Sequence, residues 1–509
     1  MSCFFSPLTF SPFRCLGAFF GLALASPVPV AWGQQFAPVV AYSTGPDSGP
    51  QGLVAADLNS DGHPDLVTAN YVGSLSGNSS GAVEVLLGTG TGTFRPVVTY
   101  STGSATRAYS VAVADLNADG KLDILVGFFR SNLAAGATGI LFGNGNGTFQ
   151  PVVIYATGPN TVNYSVGVAD VNADGKPDII TAGYVASTPA SATGAVGVQL
   201  NNGNGRFLPV VTYPTGNNSA PAALSVADVN ADGRPDLVVA DSFNSMVGVL
   251  LGNSLGTLQP VTTYSVGSAA RPLGLTVVDV NADGRPDILT ANYNTNAVSV
   301  LLNAGAGTWQ AATSYPAGTG LSRPRSIAGA DFNRDGKLDI VTANEGSDTV
   351  SLLLGTGTGT FQAGTTLTVG NGSGPYAVVA ADVNADSRPD IITANYYTDA
   401  VGVLLNSTVL ATRPGALSAQ LTLAPNPAQG STTLWAAGLP AEAHRLEATL
   451  LNPIGQIVRQ FSLPATQGAV QTSIPTAGLA PGLYLLRLHA QAAQGRALGS
   501  LPTQRLSVH

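Results

Sequence analysis

Residues 115–123 read DLNADGKLD, one of seven near-copies of Asp-x-Asn-x-Asp-Gly-x-x-Asp between Asp57 and Asp390. Side-chain oxygens stand at positions 1, 3, 5 and 9, and position 7 offers a backbone carbonyl, together the donor set of a hard divalent cation. Glycine at position 6 supplies a positive φ, so the acidic side chains converge instead of spreading along a strand. A helix-flanked calcium loop needs a bidentate Glu at position 12, where this chain has Thr68, Val126, Thr181, Val239, Thr290, Thr342 or Thr393. Apolar, β-branched runs flank the motif instead, SVAVAD or LTVVD before it and DLVTANY or DIITAGY after it. Each loop is therefore read as a hairpin connection between two buried strands. A metal-free hairpin of Asx turns is the alternative, because Asp, Asn and Gly favour turns in their own right.

The expected ligands are Asp57, Asn59, Asp61 and Asp65 in the first copy, and Asp115, Asn117, Asp119 and Asp123 in the second. The third and fourth copies supply Asp170, Asn172, Asp174 and Asp178, then Asp228, Asn230, Asp232 and Asp236. The last three supply Asp279, Asn281, Asp283 and Asp287, then Asp331, Asn333, Asp335 and Asp339, then Asp382, Asn384, Asp386 and Asp390. Only the seventh departs from the pattern, with Ser387 at position 6. These loops hold 21 of the chain's 29 acidic residues, so acid is concentrated rather than scattered. Carboxylates packed this closely repel one another unless a cation lies among them, and up to seven Ca2+ ions, one per repeat, are expected. Filling all seven would reverse the sign of the net charge of −8, so the acidity points to no basic partner. No basic stripe of the kind nucleic acid requires is present.

The first aspartates of successive loops lie 51–58 residues apart, a period that suits a four-stranded propeller blade. The fold expected is all-β, a seven-bladed β-propeller over residues 34–408 followed by a small C-terminal β-sandwich. The last repeat lacks a fourth strand, while residues 36–43, FAPVVAYS, match the fourth-strand segments FRPVVTYS and FQPVVIYA with no blade before them. That N-terminal segment is expected to pair onto the seventh blade and hide two sheet edges. The strand order puts the oxygen-rich loops on one face. On the other face, Tyr71, Phe128, Tyr184, Phe243, Tyr293 and Tyr396 are read as one recurring position, with Tyr109, Tyr164, Tyr376, Arg107 and Arg271 nearby. Such rings suit a sugar or peptide ligand, and they would equally cap the hydrophobic channel between blades.

The DxNxDG loop and GxGTF turn resemble the FG-GAP/VCBS repeat family, which includes the propellers of integrin α chains. The resemblance covers about residues 36–408 and implies calcium in the matched loops and ligand capture at the opposite face. Residues 1–33 read as a secretory signal, with Arg14 before the apolar run CLGAFFGLALA and cleavage after Ala25 or Gly33. Cleavage at either point would discard Cys3 and Cys15 and leave no thiol. No later run approaches a transmembrane span. Residues 409–420 read as a linker, and 421–509 as six or seven short alternating strands. Ala424-Pro425-Asn426-Pro427, the stretch Leu479–Arg487 and the terminal Gln504–Val508 resemble the C-terminal sorting domain of the type IX secretion system of Bacteroidota. That resemblance implies contact with the secretion machinery and a secreted or cell-surface location. An accessory sandwich that stays attached is the alternative.

Little in the chain provisions catalysis. His444, His489 and His509 fall in the C-terminal region, and His63 occupies position 7 of a loop. Carboxylates outside the loops are few, and no HExxH or phosphate-loop pattern occurs. The expectation is a non-catalytic binding or adhesion module for an extracellular glycan or protein. A carbohydrate-active protein, either a lectin or a lyase using Tyr as base and Arg against a uronate, is the alternative.

Overall fold

The computed structural model describes residues 35–71, 80–130, 135–159, 161–186, 192–407, 420–440, 442–452, 457–466, 468–492 and 497–508. The signal segment with both cysteines, its two cleavage points, nearly all of the 409–420 linker and His509 lie outside them.

Within residues 35–407 the described strands form seven four-stranded antiparallel sheets, built in chain order except the last, with two-stranded hairpins at Asn201–Gly203/Arg206–Phe207 and Asn303–Gly305/Thr308–Trp309 set between the third and fourth strands of the third and fifth sheets. The first sheet runs Pro50–Ala56, Asp65–Asn70, Ser80–Leu86 and Val98–Ser104. The next five open at Thr106–Ala114, Thr161–Ala169, Pro221–Ala227, Pro272–Val278 and Pro324–Ala330. Second strands such as Asp65–Asn70, Asp287–Asn292 and Asp390–Asn395 are buried along their whole length, which is why their sequence is a continuous apolar, β-branched run. Cores lie between neighbouring sheets: Leu66 and Leu86 of the first pack with Ile392, Val401 and Val403 of the seventh. First strands touch one another in succession, and Pro375–Ala381 of the seventh sheet touches Pro50–Ala56 of the first, so the series returns on itself.

Small residues let these first strands approach. A Cβ on Gly274 would meet the Arg325 carbonyl oxygen at 2.7 Å, and one on Gly52 would meet Tyr109 O at 3.0 Å. Ser110 Oγ and Ser326 Oγ accept hydrogen bonds from the Val166 and Val378 N–H groups of the following sheets, each at 3.2 Å. Every first strand also carries a β-bulge near its start, an extra residue unpaired with the second strand.

The seventh sheet takes its fourth strand from the N-terminal segment. Val40–Ser43 pairs antiparallel with Ala400–Leu404, Val40 opposite Val403 and Ser43 opposite Ala400. Phe36 bridges to Asn406, and its ring lies 6.2 Å from Phe332. Beyond the strand, the Asp399 carboxylate accepts from Asp47 N–H at 2.8 Å and Gly49 N–H at 2.9 Å. This seam joins residues more than 350 positions apart.

Near the seam, Glu84 faces Thr68, in the register where the other third strands carry Gly139, Gly197, Gly248, Ser299, Ser351 and Gly402. It is 3 % exposed, and burial pushes its carboxyl up to about 7, against the polar side chains of Asn70 and Thr99 beside it and reinforced by Asp399.

In the C-terminal region, the N-terminal half of Gln420–Gln429 pairs with Ser431–Ala437, which pairs with Ala469–Pro475. Ala428 pairs instead with Val508, in a group that runs Ile457–Pro464, Arg445–Leu451, Gly482–Gln491, Ala497–Val508. Leu434 and Ile474 of the first group share one core with Leu446, Leu486 and Leu506 of the second.

Deleting residues 36–43 should lower the melting temperature by on the order of 10 °C or more, because it strips the closing strand and bares the edge of Ala400–Leu404. An unchanged melting curve would show that the seam does not hold the domain. For Glu84 the folded-state value lies above the ordinary 4.5, so the folded chain binds the extra proton. That stability is fully present below about pH 4.5 and is lost as pH rises through about 7. Glu84→Gln should therefore stabilise the protein at pH 8 by roughly 1–3 kcal/mol and flatten the difference in melting temperature between pH 5 and pH 8.

Candidate functional site

Two built regions stand at opposite ends of the sheets, and the oxygen-rich loops make the first. In the loop from Asp57, the Asp57 carboxylate accepts the N–H groups of Asp61 at 3.1 Å and Gly62 at 2.8 Å. Asn59 Oδ1 accepts Asp61 N–H at 3.0 Å, and Asp61 Oδ1 accepts His63 N–H at 2.9 Å. The same four bonds recur in the other six loops. Position 4 is left-handed as well as position 6, at φ 59° in Ser60 and 60° in Ala118. Nothing in the sequence marks position 4, because Ser, Ala and Arg occupy it. Ser387 adopts the glycine conformation, φ 63°, without glycine's freedom.

Position 9 differs from the other three. Asp65, Asp123, Asp178, Asp236, Asp287, Asp339 and Asp390 are wholly buried at the start of their second strands. One oxygen of Asp65 accepts Leu58 N–H at 2.9 Å and the other accepts Gly88 N–H at 2.7 Å, tying the loop to the turn after the third strand. Asp339 and Asp390 are pushed up to about 6, by burial first, with the carboxylates at positions 5 and 1 adding, against backbone N–H bonds that lower them. The other five are raised for the same reasons.

Position 7 side chains are not merely solvated. Lys176 and Arg285 reach the position 5 carboxylates of Asp174 and Asp283 at 3.0 and 2.7 Å, and Lys121, Arg234, Lys337 and Arg388 do likewise. Among the described residues no group of three His, Cys, Asp or Glu side chains stands at metal-holding spacing. The donor chemistry still fits a hard divalent cation. Three carboxylates and an amide oxygen sit within nine residues, and burial first, with the neighbouring carboxylates adding, raises the position 9 groups.

At the opposite end, where first strands begin and second strands finish, lies a cavity of about 590 Å³. Tyr71, Tyr109, Tyr164, Tyr184, Tyr376 and Tyr396 line it, with Arg271 and Arg325, and no carboxylate does among the described residues. The rings run edge to face from Tyr164 to Tyr109 at 5.1 Å and from Tyr109 to Tyr71 at 5.8 Å, and Tyr376 stacks on Tyr396 at 4.4 Å. The Arg325 guanidinium lies 3.6 Å over the Tyr376 ring and 3.4 Å from the Glu345 carboxylate. Burial pushes the Tyr109 hydroxyl up to about 12 and raises Tyr164 and Tyr396 as well.

Of the six aromatics expected on this face, Tyr71, Tyr184, Phe243 and Tyr396 line the cavity. Tyr293 stands beside it, 5.1 Å under the Arg271 guanidinium. Phe128 does not belong to the set. It pairs with Ala108 as Asn70 pairs with Pro50, so it holds the register of Asn70 rather than Tyr71, and it is fully buried in the core. A slip of one residue along a strand exchanges its faces. Phe243 is likewise one step past the register, which Ser242 occupies, yet its loop turns it into the cavity. Arg325 also lines the cavity and is not among the residues expected there. A signal for Arg325 was available: the bulged residues Gln51, Tyr109, Tyr164, Ala222, Leu273, Arg325 and Tyr376 all stand six positions before the first aspartate of a loop, and all line the cavity.

The model of the FG-GAP-like repeat matches residues 71–126, 131–181, 184–239, 228–290, 279–342 and 331–393, and that of the FG-GAP repeat matches 49–86. The secretion system C-terminal sorting domain matches 422–496. The chain is similar to phosphatidylinositol-glycan-specific phospholipase D of Bos taurus, 27% identical over 232 residues, covering 40% of this chain and 26% of that protein. It is similar to integrin alpha-7 of Homo sapiens, 31% identical over 146 residues, covering 26% of this chain and 12% of that protein. The match thus spans about a quarter or less of either relative. Among solved structures it is similar to the periplasmic gluconolactonase PpgL of Pseudomonas aeruginosa, at 18% identity and a TM-score of 0.46 over 66% of this chain and 97% of that one. No helix among the described residues is long and apolar enough to cross a membrane. The chain belongs to the FG-GAP-like repeat family and carries a C-terminal secretion-system sorting domain, which makes it a secreted or cell-surface protein exported by the type IX system.

Proposed function

We propose that this chain is a calcium-stabilised, seven-bladed propeller that acts as a non-catalytic binding or adhesion module, and that its ligand enters the tyrosine-lined cavity. The C-terminal strands are read as a sandwich that serves export. One observation carries the reading: a bulged residue from each of seven first strands points into a single cavity at the end away from the loops. Calcium would be held by the oxygens at positions 1, 3, 5 and 9 and the position 7 carbonyl. Bound there, it would neutralise the clustered carboxylates and add stability by mass action. The basic side chains at position 7 would yield the position 5 carboxylates to it.

A lyase would need a tyrosine hydroxyl that gives up its proton near neutral pH. Burial moves Tyr109 and Tyr164 the other way, and no carboxylate among the described residues lines the cavity to accept a proton instead. This favours binding over chemistry.

Three measurements test the proposal. With calcium at a hundredfold excess over its Kd, each filled site adds about 2.7 kcal/mol. The melting temperature should therefore fall by ten degrees or more in excess EGTA, and equal curves with and without chelator would remove calcium from the account. Asp335→Asn should lose only the calcium-dependent increment of its loop. Asp339→Leu leaves the N–H groups of Phe332 and Gly355 without acceptors and should cost roughly 2–5 kcal/mol even in EGTA. On a glycan array, the double variant Tyr109→Ala, Tyr164→Ala should lose the wild-type signals at least tenfold, with no unsaturated uronate absorbance from either protein. Appearance of that absorbance would favour the lyase.

A further inference from the structure

The repeat is nearly uniform wherever it serves the fold. The loop aspartates recur in every copy, and the residue after each bulge is always small, as in Gly52, Ser110, Ser165, Gly274, Ser326 and Ala377. The bulged position itself holds Gln, Tyr, Ala, Leu or Arg. It sits outside the sheet ladder and faces the cavity, so packing does not dictate its identity. We infer that these seven bulge residues form a reading ring, and that the ring selects a carboxylated sugar. This rests on the proposal that the cavity is the ligand site.

The chemistry around the ring is unequal. Tyr376, Tyr109 and Tyr164 project from the seventh, second and third sheets and offer ring faces and hydroxyls. Ala222 and Leu273, on the fourth and fifth sheets, leave room. On the sixth, Arg325 is fixed by the Tyr376 ring on one side and Glu345 on the other, which orders its guanidinium before any ligand arrives. Arg271 reaches in over Tyr293, is exposed, and makes no ion pair among the described residues. Ser110, Ser165, Ser242 and Ser326 add hydroxyls to the wall.

Arg271, which makes no ion pair among the described residues, draws an anion to a wall that holds no carboxylate among the described residues, and Arg325, partly neutralised by Glu345, adds a pre-ordered donor; charge-assisted hydrogen bonds from Arg to a carboxylate are about twice as strong as neutral ones. Phenol faces suit the apolar face of a pyranose, and the surrounding hydroxyls suit its own. A volume of about 590 Å³ admits one or two sugar rings and excludes a folded protein. The carboxylate would lie toward Arg271 and Arg325, with the ring plane against Tyr109 and Tyr164. The acidic loops are at the far end of the sheets and do not oppose an anion here.

The test is titration calorimetry of the full chain in fixed millimolar calcium with an oligogalacturonate and with its methyl ester, which removes the charge and keeps the sugar. The acid should bind at least tenfold more tightly than the ester and weaken as salt rises. Arg271→Gln, at an exposed position, should weaken the acid about tenfold and leave the ester unchanged. Tyr109→Ala with Tyr164→Ala should abolish both. Equal affinity for acid and ester, with the tyrosine variant still abolishing it, would overturn the carboxylate assignment and leave the cavity reading intact. Binding of neither oligomer, or binding indifferent to the tyrosine variant, would overturn both.

Discussion

A buried aspartate at the start of each second strand is the interaction on which the remaining structure depends. Asp65 and its six counterparts stand in the core and accept two backbone N–H groups each, one from the oxygen-rich loop and one from the turn after the third strand. Burying a carboxylate is costly, and the upward shift of Asp339 and Asp390 to about 6 measures that cost in part. Two backbone hydrogen bonds to each carboxylate offset it in part. The clamp fixes the two connections at one end of every sheet, and it leaves the other end free to differ.

That freedom is used at the bulge. An extra residue in each first strand is taken out of the ladder and turned toward the axis, while the small residue after it lets neighbouring strands pack closely. The two devices work as a pair. Close approach of the strands makes a narrow cavity, and the bulges decide what chemistry lines it. The mixture of tyrosine, arginine and small residues there contrasts with the monotony of the loops. A fold constraint and the lining of the cavity thus occupy neighbouring positions in the same strand.

The closing seam follows a different logic. Val40–Ser43 has the pattern of a fourth strand with no sheet of its own, and Ala400–Leu404 ends a sheet lacking one, so pairing satisfies both. The continuous pairing is shorter than residues 36–43: Phe36 is joined by an isolated bridge to Asn406 and by the neighbouring Ala37 N–H to Leu405 O, with its ring near Phe332. Glu84 is the exception near this seam, a carboxyl where every other sheet has glycine or serine.

By itself the sequence determined the repeat, the strand-loop-strand unit, the closing strand and the candidate donor atoms. All of these are local or periodic, and period and residue type are what a linear string records. Phe128 shows where this stopped: a run of two phenylalanines does not say which one faces the core, and only the pairing of Phe128 with Ala108 does. Position 4 of the loops hid its left-handed backbone behind alanine, and Arg325 hid behind a bulge whose presence no residue type announces. The tertiary structure alone decided which side chains meet in the cavity and that position 7 bases reach the position 5 carboxylates. It also decided that the ninth aspartate is a clamp, because cavity and clamp depend on partners from separate strands and turns, and the position 7 side chain, only two residues from its partner, has its direction set by the folded loop and not by residue type.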